Sequence, residues 1–369
     1  MLDILNYSIP YLQILLACVV LKYSCDLFEQ SAGYLGRNMP AGIKGATVNA
    51  IGSSMPEMMS AFAVLFFMED PVTAFGIALG ITAGSGVFNT AVIPSLAILF
   101  AKGENGEKVS KIPLDKRTLI RDGFWVVLSD VALICMIAYG TIHWSMAVLL
   151  NAIYVGYAIH LWIDAKRMGD NEVEEYEDEQ LDDRGLIGNI LTFNFNKLVF
   201  GGRALCGRSA ITLLAIAVVI ISAASHMLVV GVDTLAGPEY LGIPAFISGL
   251  IFGAAASSIP DLILSLKDAR NGEYEDAVAN PLASNTFDTS ISVGLPLLIW
   301  LIWTGQDAIP VIAAEENMLA LRISVVGMSA AICATLIAKY RGVTKRTACV
   351  MLGFYAVWCA WIVATFFGA

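Results

Sequence analysis

The sequence predicts an all-α polytopic membrane protein, with ten transmembrane helices in two inverted five-helix repeats. Three observations carry that expectation. The 369-residue chain is 57% hydrophobic and only 15% charged, with a mean hydropathy of +0.71. Its basic residues fall in alternate loops, and one polar patch occurs twice in opposite orientations. Soluble domains are about 45–50% apolar and about 25% charged, so this much apolar surface has no soluble core to hide in. The composition excludes a soluble enzyme, a disordered tail protein and a nucleic-acid binder. The main partner it implies is the lipid bilayer.

A membrane helix needs roughly 20 mostly apolar residues. Ten stretches meet this: residues 8–32, 41–68, 72–101, 118–139, 143–163, 208–235, 243–267, 275–304, 317–338 and 346–367. A polar segment, 164–207, separates a first half (1–163) from a second (208–369). The first basic residue is Lys22, so the basic n-region of a signal peptide is missing and the first span is expected to remain in the mature chain. The seven cysteines are scattered without a C-x-x-C pair and read as small apolar helix residues. His143, His160 and His226 form no H-E-x-x-H pattern.

The basic residues orient the spans. Of 22 Lys and Arg, 20 lie in or beside one alternate set of loops: those after spans 1, 3, 5, 7 and 9. The opposite loops hold none, and only Lys22 and Arg322 lie inside spans. The positive-inside rule then puts both termini outside and the central loop in the cytoplasm. The expected location is the plasma membrane. A wrong span count would scramble this alternation. Most of the net charge of −10 belongs to the central loop, where nine acids run from Asp170 to Asp183 without a basic residue. That run is expected to be solvated. Residues 185–200 are apolar with few charges and are expected to lie along the membrane surface.

Two segments echo each other. Ala50-Ile51-Gly52-Ser53-Ser54-Met55-Pro56-Glu57 matches Ala254-Ala255-Ala256-Ser257-Ser258-Ile259-Pro260-Asp261. Downstream, Gly84-Ser85-Gly86-Val87-Phe88-Asn89 matches Ala283-Ser284-Asn285-Thr286-Phe287-Asp288. The repeats cover about 41–101 and 243–304. Five spans separate the copies, and five is odd, so the copies have opposite orientation. Secondary transporters use such inverted repeats and bind their ions at broken helices near the midplane. Glu57 to Ser85 is 28 residues and Asp261 to Ser284 is 23, so the first copy carries about five extra residues, expected near Phe67–Phe75.

Each patch has the parts of a cation site. Ser53 and Ser54 lie four and three residues before Glu57, which puts both hydroxyls on the carboxylate's helical face. Ser257, Ser258 and Asp261 repeat this spacing. Ser85 and Asn89, and Ser284 and Asp288, are also four apart. Pro56 and Pro260 each remove a helix donor and free a carbonyl, and such carbonyls are tolerated at membrane depth where they line a cavity. All these ligands are hard oxygens, which suit sodium, potassium or calcium, the last taking about 6–8 of them. Thiolate and imidazole ligands for copper or zinc are absent from the patch. Glu57, Asp261 and Asp288 stand in apolar spans with no basic residue at matching depth. A charge at the bilayer centre costs about 2.5–3.5 kcal/mol on insertion scales, so three are hard to explain as packing. Gly76, Gly80 and Gly84, spaced by four, read as a close helix crossing. Asp130 in span 4 reads either as a helix–helix hydrogen-bonding group or as a support to the ion path. Asp122, beside Arg121, reads as an interface anchor.

At these residues the chain resembles the cation/calcium exchanger superfamily, whose two α-repeats the patches match. The second repeat is most similar to the potassium-dependent sodium/calcium exchanger branch, with Asp261 and Asp288 spaced 27 apart as in that branch. The resemblance implies the sodium/calcium exchanger-like fold and antiport of sodium against calcium, with potassium as an accompanying ion. It implies Glu57 and Asp261 as central calcium ligands that also serve sodium, and Asp288 as the acid linked to potassium. Ser53, Ser54, Ser85, Asn89, Ser257, Ser258 and Ser284 match further coordinating positions, and the carbonyls of Ala50 and Ala254 match backbone ligands. No resident cofactor and no enzymatic activity are implied; the expected assembly is a monomer or homodimer.

The chain departs from the family pattern where Ser53 and Ser257 replace the usual threonines and Gly86 the usual Asn or Ala. Proton-coupled relatives carry a His beside the acid; this chain has none beside Glu57 or Asp261. That branch, moving protons or another divalent cation, is the alternative within the fold. Outside it, an intramembrane aspartyl protease lacks its Tyr-Asp and Gly-x-Gly-Asp motifs here. A channel is the third reading, separable by whether flux saturates at low rate.

Overall fold

The computed structural model describes residues 2–37, 50–103, 107, 109, 111–168, 185–192, 194–311 and 316–366. The start of the expected second span and the acidic run 170–183 lie outside these. Among the described residues seven helices are long and apolar enough to cross a membrane, and an eighth qualifies as a pair bent by 41°. Two shorter apolar helices, Met55–Phe67 and Ile323–Lys339, fall in the second and ninth expected spans. Length and composition alone therefore account for eight of the ten.

The first half holds α1 (Leu2–Leu35), α2 (Ala50–Ser53), α3 (Met55–Phe67), α4 (Pro71–Val87), a π-helical turn (Phe88–Val92), α5 (Ile93–Phe100), α6 (Lys116–Tyr139) and α7 (Trp144–Met168). Two short helices follow, α8 (Gly185–Leu191) and α9 (Phe195–Phe200). Leu186, Ile187, Ile190 and Val199 on them are exposed, in keeping with a segment lying on an apolar surface. The second half holds α10 (Gly207–Ala236), α11 (Ala245–Ser248), a second π-helical turn (Gly249–Gly253), α12 (Ala254–Ser257), α13 (Ile259–Asn271), α14 (Tyr274–Thr304), α15 (Glu316–Lys339) and α16 (Lys345–Phe366).

Helix α14 is the axis of the molecule. It packs against α3, α4, α6, α7 and α13. Its buried residues cover every face, and many are polar: Ser284, Asn285, Thr286, Asp288, Thr289, Ser290 and Ser292. A helix buried all round lacks the polar outer face of an amphipathic helix. The longest outer helices, α1 and α10, run together; Gln13 donates to the Met227 carbonyl across them at 2.9 Å.

Two short antiparallel ribbons tie distant loops together. Strand β1 (Lys111–Ile112) pairs with β4 (Val343–Thr344), and β2 (Thr141–His143) pairs with β3 (Ala308–Pro310). The first joins the loops after expected spans 3 and 9, the second those after spans 4 and 8. Lys102 N–H also donates to Ala269 O at 3.1 Å, joining the loops after spans 3 and 7. Odd loops meet odd and even meet even, as the alternation of basic residues requires.

The five extra residues of the first repeat are now located. The helices after the two prolines are each 13 residues long. Pro71 opens α4 14 residues before Ser85, whereas Tyr274 opens α14 10 before Ser284. The insertion is one added turn at the start of α4, plus one loop residue.

The two repeats meet where α4 crosses α11 and the turn Gly249–Gly253. A Cβ at Gly80 would overlap the Phe246 carbonyl oxygen, and one at Gly84 the Leu250 carbonyl oxygen. Reciprocally, a Cβ at Gly249 would come within 2.5 Å of the Ile77 carbonyl oxygen. The glycine stripe is thus a backbone-to-backbone crossing, the small-residue packing that membranes favour. Gly84→Ala is expected to cost about 1–3 kcal/mol of stability, because the clash is with backbone that cannot swing away. Gly353→Ala, with nothing within 4 Å of its Cβ, is expected to leave stability unchanged or slightly higher. Thermal melts of both variants in detergent check the contrast.

Candidate functional site: a two-fold cluster of buried oxygens

The repeated sequence breaks a helix in the same way twice. Helix α2 stops at Ser53 and α3 begins at Met55; α12 stops at Ser257 and α13 begins at Ile259. The linking serines share one backbone conformation, with φ −91° and ψ 1° at Ser54 and φ −82° and ψ 5° at Ser258. Pro56 and Pro260 sit in the first turn of the following helices, where a missing N–H costs nothing. Glu57 and Asp261 lie in the same first turns, where the positive end of the helix dipole favours a carboxylate.

The two breaks face each other. Ser85 Oγ donates to Glu57 Oε1 at 3.1 Å, and Ser284 Oγ donates to Asp261 Oδ1 at 3.0 Å. Contacts then cross between repeats. Ser85 Oγ is 2.8 Å from Ser258 Oγ, and Ser284 Oγ is 3.4 Å from Ser53 Oγ. Ser53 also faces Asp261, and Ser257 faces Glu57. Asn89, on the π-helical turn, donates to Asp261 Oδ2 at 3.1 Å and to Asp288 Oδ2 at 3.4 Å. Ser85 Oγ reaches Asp288 Oδ2 at 3.2 Å. Asn89 and Asp288 are equivalent positions of the two repeats and meet each other. Two carboxylates there would repel; an amide opposite a carboxylate donates instead.

All ten side chains expected at the site are buried, with Glu57 1%, Asp261 2% and Asp288 0% exposed. Among the described residues no Lys, Arg or His pairs with any of the three acids. Several oxygens that face the cluster have no hydrogen-bond partner: Glu57 Oε2, Asp288 Oδ1, Asn89 Oδ1 and Ser54 Oγ. Buried unpartnered oxygens each cost about 1–3 kcal/mol. All four are hard oxygens on residues of the one cluster, the ligand type that hard cations take. Among the described residues no three acids, cysteines or histidines form a preassembled metal cluster. Ser85, Ser284 and Asn89 stand between the carboxylates and take up their other oxygens.

The backbone ligands are less open. The Ala50 carbonyl accepts from Ser54 N–H at 3.1 Å and Ser53 Oγ at 3.4 Å. The Ala254 carbonyl accepts from Ser258 N–H at 3.1 Å and Ser257 Oγ at 3.2 Å. Both stand at the breaks, each engaged within its own turn.

Several features had no clear signal in the sequence. The π-helical turn that aims Asn89 inward follows no glycine or proline pattern of its own. Ser225, in the apolar α10, donates to the Pro56 carbonyl at 3.2 Å and carries no motif. Asn285 donates to the Gly86 carbonyl at 2.8 Å; its place inside the second patch was a usable signal. Asp122, read as an interface anchor, is buried, paired with Arg121 at 2.7 Å and bonded by Tyr157 at 3.2 Å. It is buried between α6 and α7, where Tyr157 covers it.

The structure of the H+/Ca2+ exchanger CAX covers 94% of this chain and 81% of its own, with a TM-score of 0.64 at 16% identity. A structure of the sodium-calcium exchanger NCX_Mj covers 95% and 98%, with a TM-score of 0.54 at 20% identity. Both likenesses establish the exchanger fold. The inner membrane protein YrbG of Escherichia coli (strain K12) is 24% identical over 323 residues, 85% of this chain and 86% of its own. Sodium/potassium/calcium exchanger 2 of Homo sapiens is 37% identical over 126 residues, 32% of this chain but only 18% of that protein. The family described as sodium/calcium exchanger protein matches residues 9–163 and 209–364, nearly the whole of both halves, and the chain belongs to that family.

Proposed function

We propose that the chain is an antiporter that exchanges sodium for calcium by alternating access, with potassium as an accompanying ion. The observation that carries this is the set of three buried carboxylates without basic partners, placed at paired helix breaks of an inverted repeat. Calcium would sit between Glu57 and Asp261, and sodium would compete for overlapping oxygens. Serine hydroxyls both donate and accept. Ser85 and Ser284, which donate to the carboxylates, can therefore turn their lone pairs to an ion, and Asn89 can offer Oδ1. The site's formal charge of −3 is balanced by one calcium and one potassium, or by several sodium ions. The likeness to a sodium/potassium/calcium exchanger over 126 residues supports the potassium arm. Proton coupling is the second reading, favoured by the likeness to the H+/Ca2+ exchanger. The remaining assignments are a plasma-membrane location, external termini, a cytoplasmic central loop and a monomer or homodimer.

Reconstituted vesicles test the coupling. An outward sodium gradient is expected to drive calcium uptake, and potassium on the calcium side to raise it. Uptake indifferent to sodium but driven by a proton gradient would select the second reading. Glu57→Ala and Asp261→Ala are expected to abolish uptake. Ser85→Ala removes a hydroxyl shared by two carboxylates and a serine; at about 1.5–3 kcal/mol for a hydrogen bond to a charged group, calcium binding should weaken about 10–100-fold. Asp288→Asn is expected to keep calcium binding and lose the potassium effect. Isothermal titration of the purified variants reads the affinities.

The topology has its own check. In a cysteine-depleted background, a membrane-impermeant maleimide added to intact cells is expected to label Gln306→Cys. Arg203→Cys should label only after permeabilisation. Labelling in the reverse order would invert the assigned orientation.

A further inference from the structure

A fourth acid is buried in the membrane layer and takes no part in the cluster above. Asp130, on α6, is 2% exposed. Its Oδ2 has no hydrogen-bond partner, and among the described residues no basic side chain pairs with it. Ser329 on α15 faces its carboxyl, and the Ser329 hydroxyl is itself buried and unpartnered. The next residue back, Ser129, accepts from Thr289 Oγ1 at 2.7 Å. Thr289 adjoins Asp288 in sequence and also donates to the Asn285 carbonyl at 2.8 Å.

Asp130 lies beside residues that adjoin the three-acid cluster in sequence: Gly86 follows Ser85, and Thr289 follows Asp288. Gly86 leaves open the space a side chain would fill. A Cβ there would lie 3.7 Å from Asp130 Oδ1 and 4.0 Å from Thr289 Cγ2. Asn285 donates to the Gly86 carbonyl, and its own Oδ1 is unpartnered. Gly86, Asn285 and Thr289, drawn from α4 and α14, thus form a wall between Asp130 and the cluster.

An ionised carboxylate buried without a partner is strongly unfavourable, so it must acquire a positive charge. We propose that Asp130, Ser129, Thr289 and Ser329 form a second site, for a monovalent cation, coupled through the Gly86–Asn285–Thr289 wall to the calcium site. The ion is a proton or a sodium ion; both deliver the single charge the carboxylate lacks. The other titratable groups around Asp130 are Cys333 one turn along α15, Asp288 behind Thr289 on α14, and Asp122 two turns back on α6. From α7, Tyr157 reaches Asp122 and His160 reaches Trp125, both nearer the start of α6. This inference rests on the exchanger reading above.

Calcium affinity of the purified protein tests it. The dissociation constant is measured against sodium at fixed alkaline pH, and against pH in sodium-free solution. A monovalent ion linked to calcium binding shows as the slope of log Kd in the corresponding arm. Asp130→Asn is expected to reduce that slope by about one ion. The arm that changes identifies the ion: sodium or proton. In sodium-free alkaline solution the variant's calcium Kd should stay within threefold of wild type. Slopes unchanged in both arms would overturn the proposal, as would loss of calcium binding in sodium-free alkaline solution by a folded variant. Should Asp130→Asn not fold, Ser329→Ala is expected to shift the midpoint of the affected arm several-fold; an unmoved midpoint overturns the proposal equally. A wild-type calcium Kd insensitive to sodium would instead count against sodium coupling itself, before any variant is compared.

Discussion

A carboxylate inside a membrane protein must meet a cation, a proton or hydrogen-bond donors, because the surroundings offer no water to replace them. Glu57, Asp261 and Asp288 are held by serines and one asparagine, with no basic side chain paired to them among the described residues. That arrangement satisfies some of their oxygens and leaves others unpartnered. Much of the architecture follows from the need to build such a place twice. Each repeat breaks a helix at a serine, restarts it with a proline in the first turn, and sets an acid at its positive end. The second half of each repeat supplies a serine to the acid of its own copy and a polar group four residues on that meets its counterpart in the other copy.

At one crossing the halves meet backbone to backbone. The glycines of α4 let it lie directly on the carbonyls of α11 and its π-helical turn, and Gly249 returns the same contact. A crossing this close tolerates little bulk, so the two repeats are registered where the site lies. The two β-ribbons add a second registration at the loop ends.

Much of this was legible from the residues. The doubled Ser-Ser-x-Pro-acid segment located both helix breaks, and the downstream Ser and Asn or Asp located the partners, because four-residue spacing puts them on one helical face. The stripe Gly76-Gly80-Gly84 correctly marked a crossing. What was not legible is local and conformational. The π-helical turn at Phe88–Val92 has no compositional signature, yet it helps aim Asn89. Ser225 lies in an apolar helix without a motif, and only the packing of α10 on α3 reveals that it supports the Pro56 carbonyl. Length and composition qualify seven helices and one bent pair, and Met55–Phe67 is too short to qualify alone, so the expected count of ten rests on charge alternation.

The proposed exchange requires that the unpartnered oxygens of Glu57, Asn89, Asp288 and Ser54 face a cation. A structure of the calcium-loaded protein tests it most directly. The account predicts one calcium between Glu57 and Asp261 at about 2.3–2.6 Å from their carboxylate oxygens, with Ser85 and Ser284 rotated from donating to coordinating. Calcium bound elsewhere, with the hydrogen bonds of Ser85, Ser284 and Asn89 unchanged, would contradict it.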